Sequence, residues 1–209
     1  SFHVVKLINN YLLIHLRKLQ GRYRDRDQKR HEELEQELGR RVAFTVSREY
    51  YLLKNFKWLI LKNRSDIPYS AKSHLDRKYN CYMSIYDYEH ELHKIDSNIL
   101  EMRDLKEKYI TFNNKYSGNH KEARQGLKDI IEIYRNSKFK IFNDISYTLE
   151  QFQEQIVNSF IMIERIGEGG TYLSRLSNGP MESLNRIPKD MKRNARGYRN
   201  FYHLRNRFL

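Results

Sequence analysis

The chain has 209 residues, with 39 Lys and Arg against 26 Asp and Glu, a formal net charge of +13, 39% hydrophobic residues, nine Gly, three Pro and one Cys. With 31% charged residues and apolar runs no longer than those at 12–14 and 58–61, no segment can span the roughly 30 Å of a bilayer core. A lone Cys81 excludes an internal disulfide framework and any multi-cysteine zinc site, which fits a reducing, cytoplasmic setting.

Ten Phe and 16 Tyr can fill a sizeable core, and so few Gly and Pro argue against a many-stranded sandwich or barrel and for long helices. The length fits one or two domains. No basic-then-apolar signal segment opens the chain, which starts at Ser1 rather than Met and reads as part of something longer.

In residues 4–19, Val4, Val5, Ile8, Tyr11, Leu12, Leu16 and Leu19 fall at helical spacing and predict one amphipathic helix that fades at Gly21. Residues 22–41 are almost all charged, basic up to Arg30 and acidic over 32–37, which reads as an exposed helix or mobile connector. Residues 44–61, with Phe44, Tyr51, Leu52, Phe56, Leu59 and Ile60, predict a second helix, stopped near Asn63 with Pro68 beyond. From 73 to 113 a long pattern of three- and four-residue steps predicts one long helix or two, closed by Asn113 and Gly118. Two further helical patterns follow at 120–134 and 138–160, plausible as an antiparallel pair. The span 44–160 is therefore expected to hold no strand of four or more residues, any strand lying before His3. Gly167-Glu168-Gly169-Gly170 reads as a turn, because no Gly-Lys-Ser/Thr follows as a phosphate loop requires.

The positive charge is concentrated at the two ends. Residues 1–31 carry eight basic and two acidic residues, 175–209 carry nine and two, and the middle is neutral. Basic clusters of this kind attract phosphate backbones through counterion release, or else form a merely solvated surface.

Three features in the middle carry little chemistry. His90 and His93 are three apart, not four with Glu after the first His as in a helical zinc-protease motif, which favours a solvated face. Tyr79, Tyr82 and Tyr86 could stack bases, but aromatics at this spacing are more often a core face. Cys81 lacks the His and Asn pattern of a nucleophile.

The tail differs. Asn178-Gly179 is a turn dipeptide, Pro180 stands at a helix-starting position and Glu182 falls in the first turn, amid Arg175, Arg186, Lys189, Lys192, Arg193 and Arg196 with Asp190 as the other acid. A carboxylate there either complements the positive helix terminus or, bridged by a hard divalent cation, meets a phosphate.

Asn178-Gly179-x-x-Glu182-x-x-Asn185, then Lys192-Arg193, then Gly197-Tyr198-Arg199-Asn200-Phe201 and Arg205, resembles the C-terminal end of bacterial insertion-sequence transposases of the ISL-three type. Independently, Phe2-His3-Val4-Val5-Lys6-Leu7 resembles the Asp-x-Phe-His-Val segment that in this family follows a late core strand and opens a helix. The charged linker, the Leu52-Leu53-Lys54-Asn55 stretch and the helical middle match what lies between, so the resemblance covers essentially the whole chain.

The resemblance implies a mainly α fold: a helical insertion plus the C-terminal helices of a truncated ribonuclease-H-like (α/β) domain. Residues 1–43 would be the post-strand helix and connector of the catalytic core, 44–174 an all-α insertion, and 175–209 the last core helix and basic tail. It further implies metal-dependent DNA cleavage and strand transfer. Glu182 would be the third acid and a Mg²⁺ ligand, completing a two-metal site with two upstream aspartates that are not among these 209 residues, so that this chain alone is inactive. Arg186, Lys189, Lys192, Arg193, Arg196, Arg199 and Arg205 would grip phosphates of the transposon ends and target, in a homo-oligomer of the bacterial cytoplasm. His3 falls near the family's active site. Ser183 stands where many members have Gly, and Pro188, where many have a basic residue, would kink or restart the helix near Leu184. The rival reading is a non-catalytic helical DNA-binding or oligomerisation module.

Overall fold

The computed structural model describes residues 2–116, 118–167, 169–175 and 179–194. It is mainly α, as expected. The first helix, α1 (Phe2–Leu38), does not fade at Gly21 but continues for 37 residues, about 55 Å at ~1.5 Å per residue. Its first half is held by Ile8, Leu12, Leu16 and Leu19, a buried stripe in which each side chain contributes about 1.5–3 kcal/mol. The charged half has polar anchors instead. Buried Asp27 accepts both the N–H and the hydroxyl of Ser47 at 2.7 Å, and Glu35 accepts the N–H of Val42 at 2.9 Å. These bonds fold residues 40–47 back along the helix, and Gly39 at φ 61° makes the reversal.

Ser47 then caps α2 (Arg48–Asn55) by accepting the Tyr50 N–H at 3.2 Å. The predicted second helix is broken at Phe56, and α3 (Trp58–Leu61) follows as a single turn. The C-terminal carbonyls of that turn find an unusual partner. Lys106, fully buried, donates to the main-chain oxygens of Ile60, Leu61 and Lys62 at 2.9–3.0 Å. Burial pushes its amine down to about 8.

The prediction for 73–113 needs correction, because its first part is a hairpin. Strands β1 (His74–Asp76) and β2 (Cys81–Met83) pair antiparallel, with Leu75 opposite Tyr82. Asp76 makes the turn: its carboxylate accepts the N–H groups of Lys78 and Tyr79 at 2.7 and 3.0 Å, and Asn80 takes a positive φ of 56°. Helical periodicity resumes at α4 (Ile85–Ile95), opened by a capping box between Ser84 and Asp87, and at α5 (Ser97–Lys115), capped by Asp96.

Next come α6 (His120–Arg135), α7 (Lys140–Gln151) and α8 (Gln153–Asn158), with α6 packed on both of the others. Tyr88, Tyr109, Tyr134, Phe142 and Phe160 are fully or almost fully buried in the shared core, Tyr88 stacking on Phe56 at 3.8 Å.

No strand of four or more residues occurs among the described residues of 44–160. Strands were nevertheless expected only before His3, and this is wrong. Besides β1 and β2, β3 (Met162–Gly167) and β4 (Gly170–Arg175) form a hairpin in which Gly167 pairs with Gly170, so the glycine cluster does mark a turn. Alternation of side chains along a two-stranded ribbon leaves half of them outside, and Ile166 is accordingly 90% exposed. The last element, α9 (Gly179–Asn194), follows this hairpin.

Candidate functional site

The carboxylate singled out in the sequence lies on α9. Pro180 is the second residue of the helix, where its missing N–H would have had no intrahelical partner, and Glu182 is the fourth, within the first turn. The positive end of the helix favours a carboxylate there. Pro188 lacks the N–H that would reach the carbonyl of Leu184, yet α9 is one helix to Asn194 and does not restart.

Positions 182, 186, 189 and 193 follow one another at i, i+4, i+7 and i+11 and fall on one face of α9. Arg186, Lys189 and Arg193 are exposed. Leu184 and Ile187, three apart on the other side, remain 57% and 47% exposed. Lys192 is also in α9, whereas Arg196, Arg199 and Arg205 lie outside the described residues.

Asp190 ties two of the cations together. Arg186 Nε donates to its Oδ2 at 3.0 Å, and Arg193 Nη1 stands 3.9 Å from its Oδ1. Exposed pairs of this kind are worth only a few tenths of a kcal/mol, so they orient the guanidinium groups without withholding them from a phosphate.

A second set of cations runs along α1, whose first turn holds His3. Lys6, Arg17, Lys18, Arg22 and Arg30 are exposed and pair with no acid among the described residues, whereas Arg24, Arg26 and Lys29 each face a carboxylate.

Arg175, counted with the basic tail in the sequence, plays a different part. Its Nη1 donates to the Asn113 carbonyl at 3.0 Å, its Nε to the Ser159 carbonyl at 3.1 Å, and its guanidinium lies 3.8 Å from the Phe160 ring centroid. It clamps the end of β4 to the ends of α5 and α8, just before α9 begins.

The remaining candidates change as well. Of the tyrosine series, Tyr79 packs against the core edge-on to Tyr88, as a core face requires, whereas Tyr82 and Tyr86 are 71% and 65% exposed and do not. His90 is exposed, but His93 is only 15% exposed and stands 3.9 Å from a buried Glu89, which is not the solvated face expected. Cys81 is an exposed free thiol. Sequence reasoning missed the Glu89–Arg103 pair, whose burial depends on tertiary neighbours that helical spacing alone does not report.

A family model described as Transposase, that of the ISL-three DDE type, matches residues 1–208. The chain belongs to this transposase family. No curated protein and no solved structure matches it.

The partner of such a transposase is DNA, and DNA cleavage is its class of activity. DDE transposases generally use a divalent metal, but among the described residues no group of three or more His, Cys, Asp or Glu could hold one. None of the transposase's described helices is long and apolar enough to cross a membrane.

Proposed function

We propose that α9 carries the third acid of a transposase catalytic centre, Glu182, and that the chain is the C-terminal part of an enzyme that cleaves DNA and joins strands. One observation carries this reading: the face of α9 that holds position 182 also holds Arg186, Lys189 and Arg193. A helix that only bound phosphates would gain from an acid on that face no more than the modest complementation of its positive terminus. A helix that brings an acid to the scissile phosphate needs cations beside it.

In this reading residues 1–43 and 175–209 belong to the catalytic core, and 44–174 are an inserted domain that is mainly helical rather than all-α, since it also holds β1, β2, β3 and all but the last residue of β4. Arg175 supports that division, since its clamp fixes the chain where the insertion returns to the core. The cations of α9, with Arg196, Arg199 and Arg205 beyond it, neutralise DNA backbone and position it without reading sequence.

Glu182 would hold Mg²⁺ together with two aspartates from outside these residues. Such a metal, when bound, activates the attacking oxygen and stabilises the leaving one. Mg²⁺ keeps most of its waters and needs several negative oxygens, so one carboxylate does not retain it and the 209 residues alone are inactive. The direct test is plasmid cleavage by the full-length enzyme with and without Glu182→Gln, DNA binding being measured in parallel.

A further inference from the structure

Tyr86, Glu89, His90 and His93 stand at i, i+3, i+4 and i+7 on α4 and share one face of it. Together with Tyr69 and Leu100 they line a cleft of about 470 Å³. Four of these six side chains are rings. Tyr86 is 65% and Tyr69 37% exposed, and the Tyr86 and His90 rings are within 4° of parallel with centroids 6.4 Å apart. The core does not use them; the core aromatic of α4 is Tyr88. A cluster of exposed rings of this size marks a binding surface rather than a packing remnant.

The floor of the cleft is polar. Glu89 accepts the Tyr69 hydroxyl on one oxygen and Arg103 Nη1 on the other. Fully buried Arg103 leaves Nε and Nη2 without a hydrogen-bond partner among the described residues, and His93 Nε2 is in the same condition, its 3.9 Å to Glu89 being too long for a hydrogen bond. Buried nitrogens without partners are uncommon, and these form an incompletely paired polar layer beneath the rings that line the cleft. The acids present do not repel a nucleic acid, because Glu89 is neutralised by Arg103, and Asp104 by the rim residue Arg64 at 2.7 Å.

Ring walls over a hydrogen-bonding floor suit a flat ring with polar edges. We propose that this cleft captures one unpaired, unstacked DNA base, with the exposed rings of Tyr86 and Tyr69 as its stacking surfaces. Bases within an intact duplex are stacked on both faces and do not enter. The inference rests on the chain's being a DNA-acting transposase, and the cleft adds a contact separate from the cations of α9.

The test compares binding of the 209-residue chain to two fluorescently labelled duplexes that differ only by one bulged 2-aminopurine. Base-on-ring stacking predicts that the bulged duplex binds about five- to a hundredfold tighter. Tyr86→Ala should abolish that preference and the accompanying change in 2-aminopurine emission, while leaving affinity for the paired duplex unchanged. Tyr86→Trp should keep both. Lys189→Ala with Arg193→Ala should weaken both duplexes alike. Because Tyr86 is largely exposed, its replacement leaves the core intact, which circular dichroism verifies. Equal binding of the two duplexes, or a preference that survives Tyr86→Ala, overturns this inference and leaves the transposase reading standing. No binding to either duplex overturns both.

Discussion

Asp190 accepts the guanidinium of Arg186 at 3.0 Å, one turn apart on α9, and has Arg193 within 3.9 Å on the following turn. An acid therefore sits between two cations proposed to hold DNA. It lowers the local positive potential while orienting both side chains, and at this exposure the potential matters more than the pair energy. Asp190→Asn should raise affinity for duplex DNA roughly two- to fivefold at low salt. The slope of log K against log salt should steepen by no more than about 0.9, the equivalent of one further phosphate. Anisotropy titrations at several salt concentrations measure both, and an unchanged affinity would place α9 away from the DNA.

The same titrations examine the wider electrostatic argument. If about five phosphates are neutralised, the slope for the unmodified chain should be near −4 to −5, without preference among duplex sequences. Replacing Lys192 and Arg193 by Ala should flatten it by about two. Neutralising Glu32 to Glu37 should leave it unchanged. An affinity independent of salt would remove the basis for assigning phosphate contacts to these residues.

Asp76 is buried, and burial alone would raise its pKa. The hydroxyls of Tyr88 and Tyr51, at 2.6 and 2.7 Å, and the N–H groups of Tyr79 and Lys78 outweigh that effect and hold the carboxyl below its ordinary 3.8. Tyr51 responds in the opposite sense: burial and the neighbouring carboxylate push it up to about 12. A carboxyl depressed in the folded state stabilises the fold above its unfolded pKa, and that stability is lost as pH falls through the folded value. Asp76→Asn should therefore cost roughly 1.5–3 kcal/mol at pH 7, from loss of hydrogen bonds to a charged acceptor. Below pH 3.8 the unmodified chain should lose stability more steeply than the variant, so that the two converge. Urea midpoints at pH 7 and in that acid range test this, and parallel curves would show that Asp76 contributes no acid sensitivity.

These contacts explain which parts of the fold were legible in the sequence. Ile8, Leu12, Leu16 and Leu19 form a stripe long enough for one period to win, and helices α6 and α7 were recoverable on the same grounds. Between 74 and 83 the same spacing misled. Tyr79 and Tyr82 are three apart in sequence, as on a helix, yet Asp76 and Asn80 turn the chain there and place Tyr82 on β2, and Ser84 with Asp87 was the capping signal that the helix begins later. The charged half of α1 looked unsupported because Asp27 finds Ser47 20 residues away. At the site, Pro180 and the spacing to Glu182 could be read directly. That Arg175 serves main-chain carbonyls rather than phosphate, and that His93 faces Glu89, depend on contacts that a linear count of charges does not contain.

Glu182 allows the sharpest separation of roles. Glu182→Gln keeps the volume and the place in the first turn of α9 while removing the charge, and loss of the helix-terminus interaction should cost about 0.3–1 kcal/mol of stability. In the full-length enzyme this change should abolish DNA cleavage and strand joining. Duplex affinity should stay the same or rise slightly, because an acid is removed from the face that carries Arg186, Lys189 and Arg193. Asp190→Asn, one of two comparison acids in the same region, should retain cleavage, since its carboxylate is already engaged by guanidinium groups. Glu168→Gln, the other, should retain it too. A catalytic acid and an electrostatic one thus differ in sign as well as size: the first removes turnover at constant binding, the second alters binding at constant turnover. If Glu182→Gln still cleaves, or if Asp190→Asn is the change that stops cleavage, α9 holds its acid for the helix terminus alone and the third acid lies elsewhere.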